Sequence, residues 1–249
     1  MPVFVEIFSG SGRLGRAAAL EGLQVLWWDI DFGESYDLTL AKNQHLLMGW
    51  LAGGLIRGFH VALPCQTYSR IRDRGNGPPP LRSDAFPWGL PGLSPALQHK
   101  VSLSNNLTRF ACRLFRDAIL RRVPWSLENP RTSRLWLCNS IIALVKRKNV
   151  STVHADFCMW AGPFKKATTF VSYLVDLSGL GARRCLGSRR VCARSGEPHM
   201  QLVGKRDDGV FWTKVAEPYP APLCKFIAKR FCDVIVARTA QNFDRYLSN

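Results

Sequence analysis

The sequence predicts an α/β fold with a mostly parallel sheet, and three observations carry that prediction. Short apolar runs alternate with stretches of helical period along most of the chain. The first run leads through Ser9-Gly10-Ser11-Gly12 into a helix, a second run and an acid, which is a βαβ unit. Three polar signatures stand at the ends of expected strands: the glycine turn, Pro64-Cys65-Gln66 and Glu128-Asn129-Pro130. Open α/β sheets bind ligands at that edge.

The elements follow in order. Residues 3–8 read as a strand, 13–21 as a helix and 23–28 as a second strand closed by Asp29-Ile30-Asp31. A third strand is expected before Asp37-Leu38-Thr39, then a helix over 40–56 and a strand over 59–63. Residues 70–95, rich in Arg, Gly and Pro, read as a long mobile basic loop. A helix over 97–121 precedes a strand over 124–127 that ends at Glu128. Helix 133–146, strand 151–156, strand 168–174 and a final helix over 222–237 complete the pattern. Residues 1–175 are expected to form the main domain, 176–212 a small Cys/Arg-rich insert, and 213–249 a C-terminal helix returning to the main domain.

The chain has 249 residues, 47% of them hydrophobic, which suffices for a sizeable core. No apolar run spans a bilayer and the start lacks a signal-peptide pattern. The expected setting is intracellular, nuclear or cytoplasmic, as a monomer or one domain of a larger protein. Lys and Arg number 34 against 18 Asp and Glu, a formal charge of +16 that points to a nucleic-acid partner. Eight scattered cysteines argue against a disulfide framework.

Each motif has a plain and a chemical reading. The Phe8-to-Gly12 turn lets backbone approach a ligand, and Asp29 is placed to bond ribose hydroxyls. Asp37 is either a helix-capping acid or a partner for an adenine amino group. Most cysteines are buried filler, but Cys65 ends an apolar strand where Arg70, Arg72 and Arg74 begin, and positive neighbours favour a reactive thiolate. Glu128, flanked by Trp125 and Leu127, is a partly desolvated acid or simply part of an Asn-Pro turn. Cys158, Cys185, Cys192 and His199 are zinc-binding residue types without a Cys-x-x-Cys pair. Unpaired thiols are their plainer reading and zinc the alternative. Arg183-Arg184, Arg189-Arg190 and Lys205-Arg206 in the insert touch phosphates or form a solvated face.

Together these residues resemble the DNA cytosine-5 methyltransferases. Glu6-Ile7-Phe8-Ser9-Gly10-Ser11-Gly12 is similar to that family's cofactor motif, Pro64-Cys65-Gln66 with Ser69 to its nucleophile motif, and Glu128-Asn129 to its base-activating motif. The resemblance covers about residues 3–175. Pro130 looks closer to a Glu-Asn-Pro subgroup found in phage and eukaryotic mobile elements. Where most members carry paired arginines, this chain has Lys165-Lys166. Residues 176–212 are short for a sequence-reading region, and Tyr219 to Lys225 match the cofactor-closing segment only loosely.

The resemblance implies a Rossmann-like sheet binding S-adenosylmethionine through Phe8, Ser9, Gly10, Gly12, Asp29, Ile30, Asp37 and Pro64. It implies catalysis by Cys65, Glu128, Asn129 and Lys166, with Gln66, Ser69, Arg70, Arg72, Arg74 and Lys165 on the nucleic acid. Cys65 would add to C6 of a flipped cytosine in DNA while Glu128 binds the N3/N4 edge. The same chemistry on RNA, and a catalytically inactive nucleic-acid-binding relative, are the alternatives. A nicotinamide dehydrogenase shares the glycine turn but leaves Pro64-Cys65-Gln66 unexplained.

Overall fold

The computed structural model describes residues 3–75, 78–187 and 190–247, the side chains of Arg74 and of residues 240–247 excepted. Six strands form one sheet in the order β2-β1-β3-β4-β6-β5. They are β1 (Val3–Ile7), β2 (Gln24–Trp28), β3 (Ile56–Ala62), β4 (Trp125–Pro130), β5 (Val150–Asp156) and β6 (Ala167–Tyr173). The helices are α1 (Arg13–Leu20), α2 (Ala41–Ala52), α3 (Pro95–Leu120), α4 (Asn139–Val145), the single turn α5 (Trp212–Val215) and α6 (Ala221–Leu247).

Strands β1 to β4 run parallel, as helical crossovers between them require. Strand β6 is antiparallel to both β4 and β5, because only ten residues separate β5 from β6. From β1 the chain first adds β2 on one side and then β3 on the other. This Rossmann-like α/β arrangement therefore has its topological switch point between β1 and β3, where a ligand crevice is expected.

Alternation along the strands divides the apolar residues between two cores. Val5, Ile7, Phe59, Val61, Trp125 and Leu127 meet α2, α3 and α4. Phe4 and Phe170 lie on the other face, with Leu14 and Ala18 of α1 and Leu223, Ile227 and Phe231 of α6. Gly58 shows how closely α6 lies on β3: a Cβ there would stand 2.8 Å from Ile235 Cδ1.

Four expectations need correction. Instead of a third strand before Asp37, residues 30–36 form two 3-10 turns, Ile30–Phe32 and Glu34–Tyr36, split by Gly33 at φ 109°. Trp28 holds this segment down through its indole N–H, which donates to Tyr36 O at 2.9 Å, and through edge-on contacts with Tyr36 and Trp50. The helix expected over 133–146 divides into a 3-10 turn, Arg134–Leu137, and α4. Glu128, Asn129 and Pro130 belong to β4 itself, where β6 pairs with all three.

The fourth correction concerns the basic loop. It begins as a 3-10 turn, Arg70–Arg74, and is strapped to the body along much of its length. Arg82 is 1% exposed and bonds Thr67 Oγ1, Asn105 Oδ1 and Pro87 O, with its guanidinium 3.8 Å above the Tyr68 ring. Arg134 grips Asp73 and Asp84. Local acids and acceptors thus consume charge that the composition alone assigns to a partner.

Candidate active site

The turn after β1 uses left-handed backbone three times, at Phe8 (φ 58°), Gly10 (φ 47°) and Gly12 (φ 63°). Phe8 is the costly one, since a side chain opposes that conformation; its N–H donates to Trp28 O at 2.7 Å. Asp29 closes the turn from β2: Oδ2 accepts from Gly10 N at 2.8 Å and Oδ1 from Asp31 N at 3.1 Å. Ser9 Oγ is buried without a hydrogen-bond partner. Around the position a Gly10 Cβ would occupy there is open space. Ile30 and Phe32, each 54% exposed, border the opening. An orphaned hydroxyl, a space beside a glycine and exposed apolar side chains next to an acid suit a nucleoside cofactor with polar and apolar parts. Asp37 sits further along, with Oδ1 taken by the backbone N–H and hydroxyl of Thr39. That geometry is a local side-chain turn; the helix-capping reading is corrected, because the cap position of α2 is Leu40.

Glu6 underlies the turn. It is 4% exposed and its Oε2 accepts from Gly15 N at 2.8 Å. Burial raises its pKa to about 7, against smaller opposing pulls from the Gly15 N–H and Arg16. A carboxyl raised in this way favours the folded state below its ordinary pKa of 4.5, and that contribution is lost as pH climbs through about 7. The loss amounts to about 3 kcal/mol. Denaturant titrations from pH 5 to 8 should show stability falling, and Glu6→Gln should flatten much of the decline. Equal slopes in the two proteins would contradict this account.

Register sets the next part of the site. Ala62 pairs with Glu128, so Glu128 on β4 lies beside the point where β3 runs out toward Cys65. Asn129 Nδ2 donates to Leu63 O at 2.8 Å and fixes the backbone just before Pro64 and Cys65. Glu128 is 5% exposed, and its Oε1 has no hydrogen-bond partner. Burial raises its pKa, while Lys166 and the Tyr219 hydroxyl pull the other way.

Cys65 is partly exposed, between exposed Pro64 and Gln66. Its thiol is pushed up to about 11, first by burial and then by the Glu128 carboxylate, with Lys166 opposing. The sequence expectation was the reverse, a thiol acidified by the following arginines. Arg70 is held by Asp84 at 2.8 Å and by Thr132 O, and Arg72 by Gln66 O and Pro79 O. The Arg74 side chain lies outside the described residues, as does Arg189. Ser69 Oγ caps the 3-10 turn by accepting from Ile71 N.

Of the two lysines, Lys166 faces the site. Its Nζ lies 4.6 Å from the Phe157 ring centroid and 5.9 Å from that of Tyr219, within electrostatic reach of both Cys65 and Glu128. Lys165 turns toward the insert, its Nζ donating to Cys185 O at 3.0 Å.

Two residues here were not among the site residues the sequence suggested. Tyr219, just before α6, hydrogen-bonds His60 Nε2 at 3.0 Å, and His60 Nδ1 meets Ser126 Oγ at 2.7 Å. Burial drives the His60 pKa down to about 3, so this ring is neutral and relays hydrogen bonds rather than charge. A buried chain Ser126–His60–Tyr219 thereby ends beside Glu128. Only the loosely matched Tyr219-Pro220 ahead of the last helix hinted at it.

A groove of about 520 Å³ opens between this site and the insert. Ile71, Lys165, Lys166, Arg190, Met200 and Leu202 line it. Among the described residues no helix is long and apolar enough to cross a membrane.

No protein-family model and no curated protein sequence matches the chain. Among solved structures, a Spodoptera frugiperda DNMT2 mutant is similar at 14% identity and a TM-score of 0.38, over 69% of this chain. The match covers 49% of that protein, so the chain spans about half its length. At that distance the likeness assigns no chemistry to this chain.

Proposed function

We propose that the chain transfers a methyl group from S-adenosylmethionine to C5 of a cytosine in DNA. The observation that carries this is the buried Glu128 carboxyl group on β4, one oxygen of which has no hydrogen-bond partner, set beside the Cys65 thiol and Lys166 at the strand ends.

Burial raises the Glu128 pKa, and in its acid form the carboxyl group matches the cytosine edge. Its O–H donates to N3 while its carbonyl oxygen accepts from the N4 amino group. Proton movement from Glu128 toward N3 makes the ring electrophilic at C6, where Cys65 Sγ, having released its own proton to solvent, bonds as the thiolate. The electron pair so displaced makes C5 nucleophilic. S-adenosylmethionine, when bound, supplies the electrophilic methyl for C5. Loss of the C5 proton to a base, departure of the Cys65 thiolate and return of the N3 proton to Glu128 then restore the ring. Ser9, Gly10, Gly12, Asp29 and Ile30 would hold the cofactor, and Lys166 would offset charge gathering on the base. Asn129 acts as a positioning residue through Leu63 O. The net charge of +16 and the lysines and arginine of the groove fit a polyanionic substrate.

Oligonucleotides containing 5-fluorocytosine test the reading, because fluorine cannot leave as the proton does. DNA should give a denaturation-stable adduct with the cofactor present, mapping to Cys65. An adduct with RNA alone would move the activity to RNA, and none with either polymer would leave a nucleic-acid-binding protein.

A further inference from the structure

We propose that Cys158, Cys185, Cys192 and His199 hold one tetrahedral zinc ion that fixes the insert against the sheet. The four donor atoms come from three separate stretches of chain, yet all lie within 4.8 Å of one another. Zinc bonds of about 2.3 Å to sulfur and about 2.0 Å to nitrogen imply tetrahedral edges of about 3.5–3.8 Å. Cys185 Sγ and His199 Nε2 are 3.5 Å apart.

Packing points the same way. Cys158, Cys185 and Cys192 form a buried cluster of their own, with only Met159 among the described residues packed against it. Three thiols are a poor core for a segment of this length, whereas a metal cross-link is what small, core-poor elements use. The backbone is shaped for sulfur ligands too. Residues 190–199 make a tight hairpin, bridged at Val191 and Pro198 and closed by His199 N donating to Arg190 O. Inside it Ala193 N points at Cys185 Sγ at 3.5 Å. N–H donors aimed at sulfur stabilise thiolates. A Cβ on Gly187 would collide with Val191 O, so this hairpin and the irregular segment before it meet where only glycine fits.

An outer layer supports the cluster. Asp156, 1% exposed, accepts from Cys185 N at 2.9 Å and faces Arg184. Arg194 Nε donates to Cys158 O at 2.7 Å and Lys165 Nζ to Cys185 O at 3.0 Å. Three thiolates, a neutral imidazole and Zn²⁺ sum to one negative charge, which these cations face. The sequence offered these four residues as zinc candidates, and the absence of Cys-x-x-Cys made unpaired thiols their plainer reading. The last three members instead recur at a seven-residue interval, 185, 192 and 199.

The metal claim is independent of the methyltransferase reading; a consequence for substrate rests on it. The hairpin leads directly into Met200 and Leu202 on the groove wall, and Met200 N is tied to Pro163 O. Zinc would hold that wall opposite Lys166.

Plasma mass spectrometry of the full chain, purified without added metal, should find about one zinc per chain. Cobalt(II) exchanged into the site should give the visible spectrum of tetrahedral thiolate coordination. Cys192→Ser and His199→Ala should each lower zinc content several-fold, while His199→Cys, which restores four suitable ligands, should retain it. Metal-free protein whose Cys158, Cys185 and Cys192 all react freely with a thiol reagent would overturn the proposal, as would a disulfide among them in the native chain. If zinc is present and no covalent trapping occurs, the metal site stands and the catalytic reading fails.

Discussion

Cys65→Ser should bind S-adenosylmethionine as the wild type does and lose turnover by at least ~10⁴-fold. The serine hydroxyl fits the same volume, so the β3 terminus and the Asn129 tie to Leu63 O should be undisturbed. What disappears is nucleophilicity toward C6. The wild-type thiol is itself poorly prepared in the free protein. At about 11, its pKa leaves on the order of a hundredfold less thiolate at neutral pH than a thiol with the ordinary pKa of 9.0. Iodoacetamide should therefore label Cys65 slowly at pH 7, with the rate still climbing at pH 10. Burial, chiefly, and the Glu128 carboxylate keep the proton on sulfur, and protonation of Glu128 relieves the second cause. Sulfur and carboxyl would thus be activated together when a base enters. Single-turnover transfer of labelled methyl, with calorimetry for the cofactor, reads both halves of the expectation. A serine variant within tenfold of the wild-type rate would remove Cys65 from the mechanism.

The legible parts of this protein were those written in contiguous residues. A glycine turn after an apolar run, an acid closing the next run, and Pro64-Cys65-Gln66 at a strand end all follow from local pattern, and the switch point between β1 and β3 brings them to one edge. Hidden parts depended on pairings across the chain. His60 and Tyr219 are 159 residues apart, His60 inside an apolar strand and Tyr219 in a proline-rich turn, and neither residue alone points to the other. The arginines after Cys65 misled because composition counts charges without their partners. Asp84 lies fourteen residues beyond Arg70, and the carbonyls of Gln66 and Pro79 flank Arg72, close enough to neutralise or occupy both guanidinium groups inside the loop. The Glu-Asn-Pro segment was placed just past its strand because proline usually ends pairing. Here Pro130 sits at the last position of β4, where a missing N–H does little harm.

Glu128→Gln separates binding the base from activating it, and kcat should fall by at least ~10²-fold while KM for the nucleic acid changes little. The amide can imitate the neutral acid in the ground state: its NH₂ donates to N3 and its carbonyl accepts from the N4 amino group. It has no proton to give as sulfur adds to C6, so only the transition state is affected, and such losses appear in kcat and kcat/KM alike. Glu128→Ala should raise KM as well, because a flipped cytosine would then lack both edge partners. Since burial raises the Glu128 pKa, the acid form persists above the ordinary carboxylate range, and the wild-type rate should decline as pH passes that raised value. The Gln variant should lack this descending limb altogether. Its loss, together with unchanged substrate affinity, would identify Glu128 as the proton donor; full activity in the Gln variant would transfer that role to another group at the site, such as Lys166 or Tyr219, both of which act on Glu128.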